Sequence, residues 1–113
     1  MTVRTLSEPA LGRVLVVDDD RRMASGLAQW LCGLGWHASA VGSAGEALQA
    51  VGRTAWDACI LDGDLPGGGG RIAAAVRSVA PGAGIVALGT AGGAAVGDWA
   101  DAAVSRPASD AAL

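Results

Sequence analysis

Five aspartates of this 113-residue chain fall in two short clusters. Asp18, Asp19 and Asp20 close the run "RVLVVDDD", and Asp62 and Asp64 sit in "ILDGDLPGGGG", residues 60–70. Carboxylates brought to one place repel one another unless something positive lies between them. A hard divalent cation meets that need. Mg2+ takes one or two carboxylates and keeps positions open for water and phosphate oxygens, whereas Ca2+ asks for a fuller oxygen cage than these loops supply. Mg2+ is the expected ion, with Asp18, Asp19 and Asp62 as its carboxylates. With charge neutralised there, a carboxylate at the bottom of the pocket can attack phosphorus and become an aspartyl phosphate. A hydroxyl and a fixed cation would hold the new phosphoryl oxygens, and Thr90 and Arg106 are placed to supply them.

Each residue also has an ordinary structural reading. Asp18 to Asp20 can cap a helix, and Asp62 with Asp64 can shape the turn before Pro66. Thr90 can be a strand-end hydroxyl and Arg106 a surface charge. Taken together, at the ends of two apolar runs, the aspartates point to a site.

The elements that must position them follow from periodicity. "RVLVV" is a β-branched run without alternation, as in a strand buried on both faces of a parallel sheet. Met23, Leu27, Trp30, Leu31 and Leu34 recur at helical spacing, and Gly33 and Gly35 offer a stop. "WHASAV", residues 36–41, predicts a second strand, and Ser43 with Glu46 forms a capping box opening a helix through Leu48 and Val51. "ACILD" is the third strand. After the glycine loop, Ile72, Ala73, Val76 and Val79 mark one face of a helix over 71–80, which Pro81 and Gly82 end. "GIVALGT", residues 84–90, is the fourth strand.

Beyond it the pattern thins. Gly92, Gly93 and Gly97 each cost a helix about 1 kcal/mol relative to alanine, so the fourth helix is expected to be weak or absent. "DAAVS", residues 101–105, predicts a weak fifth strand. Six residues follow Pro107, and the final helix is expected to be abbreviated or to lie in sequence beyond this chain. Residues 1–12, with Pro9 and Gly12, read as a loose lead-in. Strands alternating with helices imply an α/β, doubly wound parallel sheet with right-handed crossovers. Its site lies at the carboxyl ends of the strands, where all five aspartates fall.

Composition narrows the function classes. The length suits one domain. Apolar residues make up 51% of the chain, yet no run approaches the roughly 18 residues of a membrane span and no leader pattern opens it, which suggests a cytoplasmic protein. A net charge of -3 with scattered arginines offers no basic stripe for nucleic acid. All eight basic residues are arginine. Cys32 and Cys59 lack metal-ligand spacing and read as small apolar side chains of a helix and a strand. His37, the one histidine, is given no role.

Between Arg13 and Pro107 the sequence resembles the receiver domain of two-component response regulators. "VLVVDDD" is similar to the family's first strand and acidic pair, and "WDACILDGDLPGGGG" to its phosphoacceptor strand with the D-x-x-[LM]-P-x-x-x-G loop. "ALGTA" is similar to the fourth strand with its switch threonine, and "VSRP" to the stretch that carries the family's K-P. The resemblance implies a CheY-like, flavodoxin-like five-stranded sheet of order 2-1-3-4-5. It makes Asp62 the phosphoacceptor, Asp19 a direct Mg2+ ligand and Asp18 a ligand acting mainly through water. Asp64 would lend its backbone carbonyl to the metal, Thr90 would bond a phosphoryl oxygen, and Arg106 stands where the family has lysine. Of the glycines, only Gly70 takes a family position, so Gly67 to Gly69 read as loop flexibility.

Three features depart from the family pattern. A forked guanidinium replaces a compact ammonium at Arg106, the switch aromatic falls on Ala103, and the segment from Thr90 to Arg106 is shorter than usual by roughly one and a half helical turns. The expected function is a phosphoacceptor domain, not an enzyme beyond self-phosphorylation and self-dephosphorylation. Residues 13–113 would form it, as the N-terminal part of a larger regulator or hybrid kinase. Its partner would be a histidine kinase or phosphotransfer protein, with an attached output domain. A pseudo-receiver that signals without phosphorylation is the second reading. A haloacid-dehalogenase-type phosphatase, to whose D-x-D loop "DGD" is faintly similar, fits poorly because Pro66 breaks the motif and no lysine is present. A flavodoxin would need a Ser/Thr phosphate loop after the first strand, which is missing.

Overall fold

The computed structural model describes residues 11–65, 68–89 and 99–105. Five strands form one parallel sheet: β1 (Arg13–Val17), β2 (His37–Val41), β3 (Ala58–Asp62), β4 (Gly84–Gly89) and β5 (Ala102–Ser105). Their order across the sheet is β2-β1-β3-β4-β5. Among the described residues three helices connect them: α1 (Arg21–Gly33), α2 (Ala44–Arg53) and α3 (Gly69–Val79). The architecture is the flavodoxin-like, CheY-like α/β fold expected from the alternation of the two periodicities. Of the lead-in read over 1–12, residues 1–10 lie outside the described residues, as do the fourth-helix segment over 90–98 and everything from Arg106 onward, while Leu11 N–H donates to Gly35 O and Gly12 O accepts from His37 N–H. No helix among the described residues is long and apolar enough to cross a membrane.

The sheet separates two apolar layers. On one face Val14 and Val16 of β1 meet Ala24, Ala28 and Leu31 of α1. On the other, Leu15, Val17, Cys59, Leu61 and Ile85 meet Ala47 and Val51 of α2 and Ile72, Ala73 and Val76 of α3. β1 is buried from Val14 onward, which its unbroken run of large aliphatics requires in a central parallel strand. Burial of the Cys59 thiol pushes its pKa up to about 12, so it behaves as a small apolar group.

Helix ends follow local chemistry. Asp20 caps α1, its Oδ1 accepting from the Arg22 and Met23 amides at 3.1 and 3.2 Å. The helix stops in a Schellman turn: Trp36 N–H donates to Leu31 O and Gly35 N–H to Cys32 O, with Gly35 at φ 107°, where a side chain would be strained. Ser43 Oγ caps α2 through the Glu46 amide at 3.1 Å. The Glu46 carboxylate reaches back to the Gly42 amide at 2.7 Å and pairs with Arg21 at 3.2 Å. These bonds, that from Gly42 first, hold the Glu46 carboxyl below the ordinary range.

Three expectations are corrected. Trp30 and Leu34, read with Met23, Leu27 and Leu31 as the apolar residues recurring at helical spacing, are 61% and 52% exposed. The helix approaches the sheet through the small side chains of Ala24 and Ala28, which places Trp30 about a third of a turn away from the contact. Val79, read on one helical face with Ile72, Ala73 and Val76, is 51% exposed, as the last residue of α3. Gly69, read as loop, is buried and helical: α3 begins two residues before the predicted Arg71.

Candidate functional site

Parallel register brings the ends of β1 and β3 level. Val17 pairs with both Val41 and Leu61, and Asp62 pairs with Leu88. Asp18, the residue after β1, and Asp62, the last of β3, therefore emerge side by side at the carboxyl edge, and both are buried. Asp19 beside them is exposed. One oxygen from each of Asp18, Asp19 and Asp62 lies within 4.8 Å of the others, a spacing that can hold a metal ion.

The surrounding backbone locks two of these carboxylates. Asp18 Oδ1 accepts from the Asp20 amide at 2.9 Å, and Asp62 Oδ1 accepts from the Asp64 amide at 3.0 Å. Both are short turns of the kind Asp favours. The loop after β3 is tied down as well: Gly63 N–H donates to Leu88 O at 2.7 Å and Leu65 N–H to Asp62 O at 3.1 Å. The Leu65 side chain is 5% exposed and packs in the core, so a loop of polar and glycine residues is pinned by one apolar anchor. Arg21, which follows the acidic run, is turned to Glu46 on α2.

Three aspartates in a row thus divide their work. Asp20 takes the ordinary capping role, Asp18 is driven inward and Asp19 outward. An all-oxygen set of carboxylates at this spacing fits a hard divalent ion, and its repulsion is relieved when such an ion binds.

Of the residues expected at the site, Asp18, Asp19 and Asp62 converge and Asp64 stands exposed on the adjoining loop. Thr90 and Arg106 lie outside the described residues, as does Pro66. Ala103, the position without an aromatic, is exposed in β5 opposite Ala87. One supporting residue escaped the sequence reading, whereas Leu65 carried the signal of the [LM] position in the loop motif. Asp101 carried none: its Oδ2 accepts from the Ile85 amide at 2.7 Å and pairs with Arg77 at 2.8 Å, partners remote in sequence.

No protein-family model and no curated protein matches the chain in sequence. Solved structures do match. A CheY-like receiver domain from Methylobacillus flagellatus superposes with a TM-score of 0.74 at 25% identity, covering 90% of this chain and 92% of that one. The response regulator TrrA from Thermotoga maritima, crystallised in complex with Mg2+-BeF, gives 0.70 at 26% identity over 85% and 87% of the two chains. A response regulator from Burkholderia pseudomallei, solved with a phosphorylated aspartic acid, calcium ion and citrate, gives 0.72 at 28% identity. The match there covers 85% of this chain but 60% of that protein. The chain resembles response-regulator receiver domains in strand order and along most of its length.

Proposed function

We propose that residues 13–113 form a phosphoacceptor receiver domain of two-component signalling, taking a phosphoryl group onto Asp62 from a histidine kinase or phosphotransfer protein. The observation that carries this reading is the convergence of Asp18, Asp19 and Asp62 within 4.8 Å at one sheet edge. The similar proteins solved with a phosphorylated aspartate or with Mg2+-BeF support it.

In this reading a carboxylate oxygen of Asp62 forms the bond to phosphorus as the bond from phosphorus to the donor histidine nitrogen breaks. Asp19, Asp62 and the Asp64 carbonyl, with Asp18 acting through water, would hold Mg2+, which would supply positive charge to offset that of the phosphoryl oxygens. The Asp64 amide fixes the Asp62 carboxylate for attack through the 3.0 Å bond to Oδ1. By the resemblance, Thr90 and Arg106 would hold the phosphoryl oxygens. Phosphorylation then biases the surface that an output domain or partner reads.

Incubating the chain with Mg2+ and acetyl phosphate should add one phosphoryl group, seen by mass spectrometry and abolished by Asp62→Asn. Absence of an adduct from acetyl phosphate and from phosphorylated histidine kinases overturns the proposal. Ala103, exposed and without a ring, favours a second reading, a pseudo-receiver. Partner binding indifferent to Asp62→Asn would select it.

A further inference from the structure

α1 and α2 begin on side chains that satisfy their first amides, Asp20 and Ser43. α3 has no such support. Gly68 makes no side-chain cap bond, the first turn has no acidic residue, and it opens on Gly69 and Gly70. Each glycine costs a helix about 1 kcal/mol relative to alanine. Local sequence therefore gives the start of α3 little reason to be helical, and the support has to come from elsewhere in the fold.

It comes from Trp99. A Cβ on Gly69 would lie 2.8 Å from Cη2 and Cζ2 of the indole, and one on Gly70 would lie 3.2 Å from Cδ1. The ring lies on the bare backbone of the turn, at a distance only glycine permits at position 69. Trp99 is anchored in turn. Its carbonyl accepts from Arg77 Nη1 at 2.8 Å, Arg77 pairs with Asp101, and Asp101 receives the Ile85 amide at the start of β4. On the other side the same turn leads straight to the pocket. Gly68 N–H donates to Leu65 O and Leu65 N–H to Asp62 O, each at 3.1 Å.

We infer that Trp99 is a positioning residue for the acidic pocket: seated on Gly69 and Gly70, it holds the first turn of α3 and thereby the loop that carries Asp62 and Asp64. Its effect on metal binding rests on the reading of that pocket as an Mg2+ site. Residue 69 is glycine, on this account, to admit the ring.

The test uses the full chain with Trp99→Ala, Trp99→Phe and Gly69→Ala, and Leu31→Ala as a control that loosens the opposite core. Amide exchange at Leu65 and Gly68 and the Mg2+ dissociation constant, followed through the Asp18 and Asp19 amide signals, are measured on each. Trp99→Ala and Gly69→Ala should speed exchange at both amides by about tenfold beyond the control and weaken Mg2+ about fivefold. Trp99→Phe should recover most of both effects. Exchange that moves no more than in Leu31→Ala, or an unchanged Mg2+ constant in a chain that binds the ion, overturns the inference. If the unsubstituted chain binds no Mg2+, the reading of the pocket falls, and exchange at Leu65 and Gly68 alone decides for or against Trp99.

Discussion

Asp19 is the exposed member of a carboxylate trio whose other two members are buried, which makes it the one to remove without disturbing the core. Its replacement by asparagine takes away one repelling charge and one proposed ligand. Asp19→Asn should therefore be no less heat-stable than the native chain in the absence of metal, yet lose most of the stabilisation that Mg2+ confers by mass action. Asp64→Asn should keep that stabilisation, because its proposed ligand is the backbone carbonyl. Thermal scans with and without Mg2+ separate the two. At this scale the aspartates were legible, since residue type and position after an apolar strand both announce them. Which of three consecutive aspartates caps and which faces inward was not, because that depends on where α1 begins relative to β2 and β3.

At the scale of elements, the weakly patterned β5 is held by chemistry that its own sequence does not contain. The Ile85 amide, then Arg77, hold the Asp101 carboxyl below the ordinary carboxylate range. A depressed folded pKa means stability that is full above the unfolded value, about 4, and lost as the pH falls through the folded value. The group is solvent-exposed, so salt trims the effect. Asp101→Asn should start with a lower unfolding temperature at neutral pH and show a smaller decline on acidification below about pH 4 than the native chain. Equal acid-side declines in thermal scans would count against this role. Sequence periodicity found the five strands and the three helices to within two residues. It placed the start of α3 too late, because a helix opened by glycines is stabilised by a ring thirty residues away and not by its own propensities.

For the molecule as a whole, two apolar layers on one sheet must carry a net stability of about 5–15 kcal/mol. Leu15 is fully buried on β1, an interior strand, and belongs to the larger layer. Leu15→Ala should cost about 2–5 kcal/mol, lowering the urea midpoint with little change in slope, and would leave a marginal domain. A loss well under 1 kcal/mol would mean that the layer repacks around the void more fully than cores of this kind do. The fold class was legible because a parallel sheet covered on both faces needs unbroken aliphatic runs, and "RVLVV" and "ACILD" are such runs.

The sequence by itself determined the order of elements, the identity of the acidic residues and their place at strand ends, since propensity, turn chemistry and periodicity act over a few neighbours. Tertiary structure alone decided that Asp18, Asp19 and Asp62 meet within 4.8 Å, through the strand register. It also decided that Trp30 faces outward while Trp99 lies on Gly69 and Gly70. The physical reason is the same in each case. Contacts between residues far apart in the chain depend on packing distances between elements, and no local pattern records those distances.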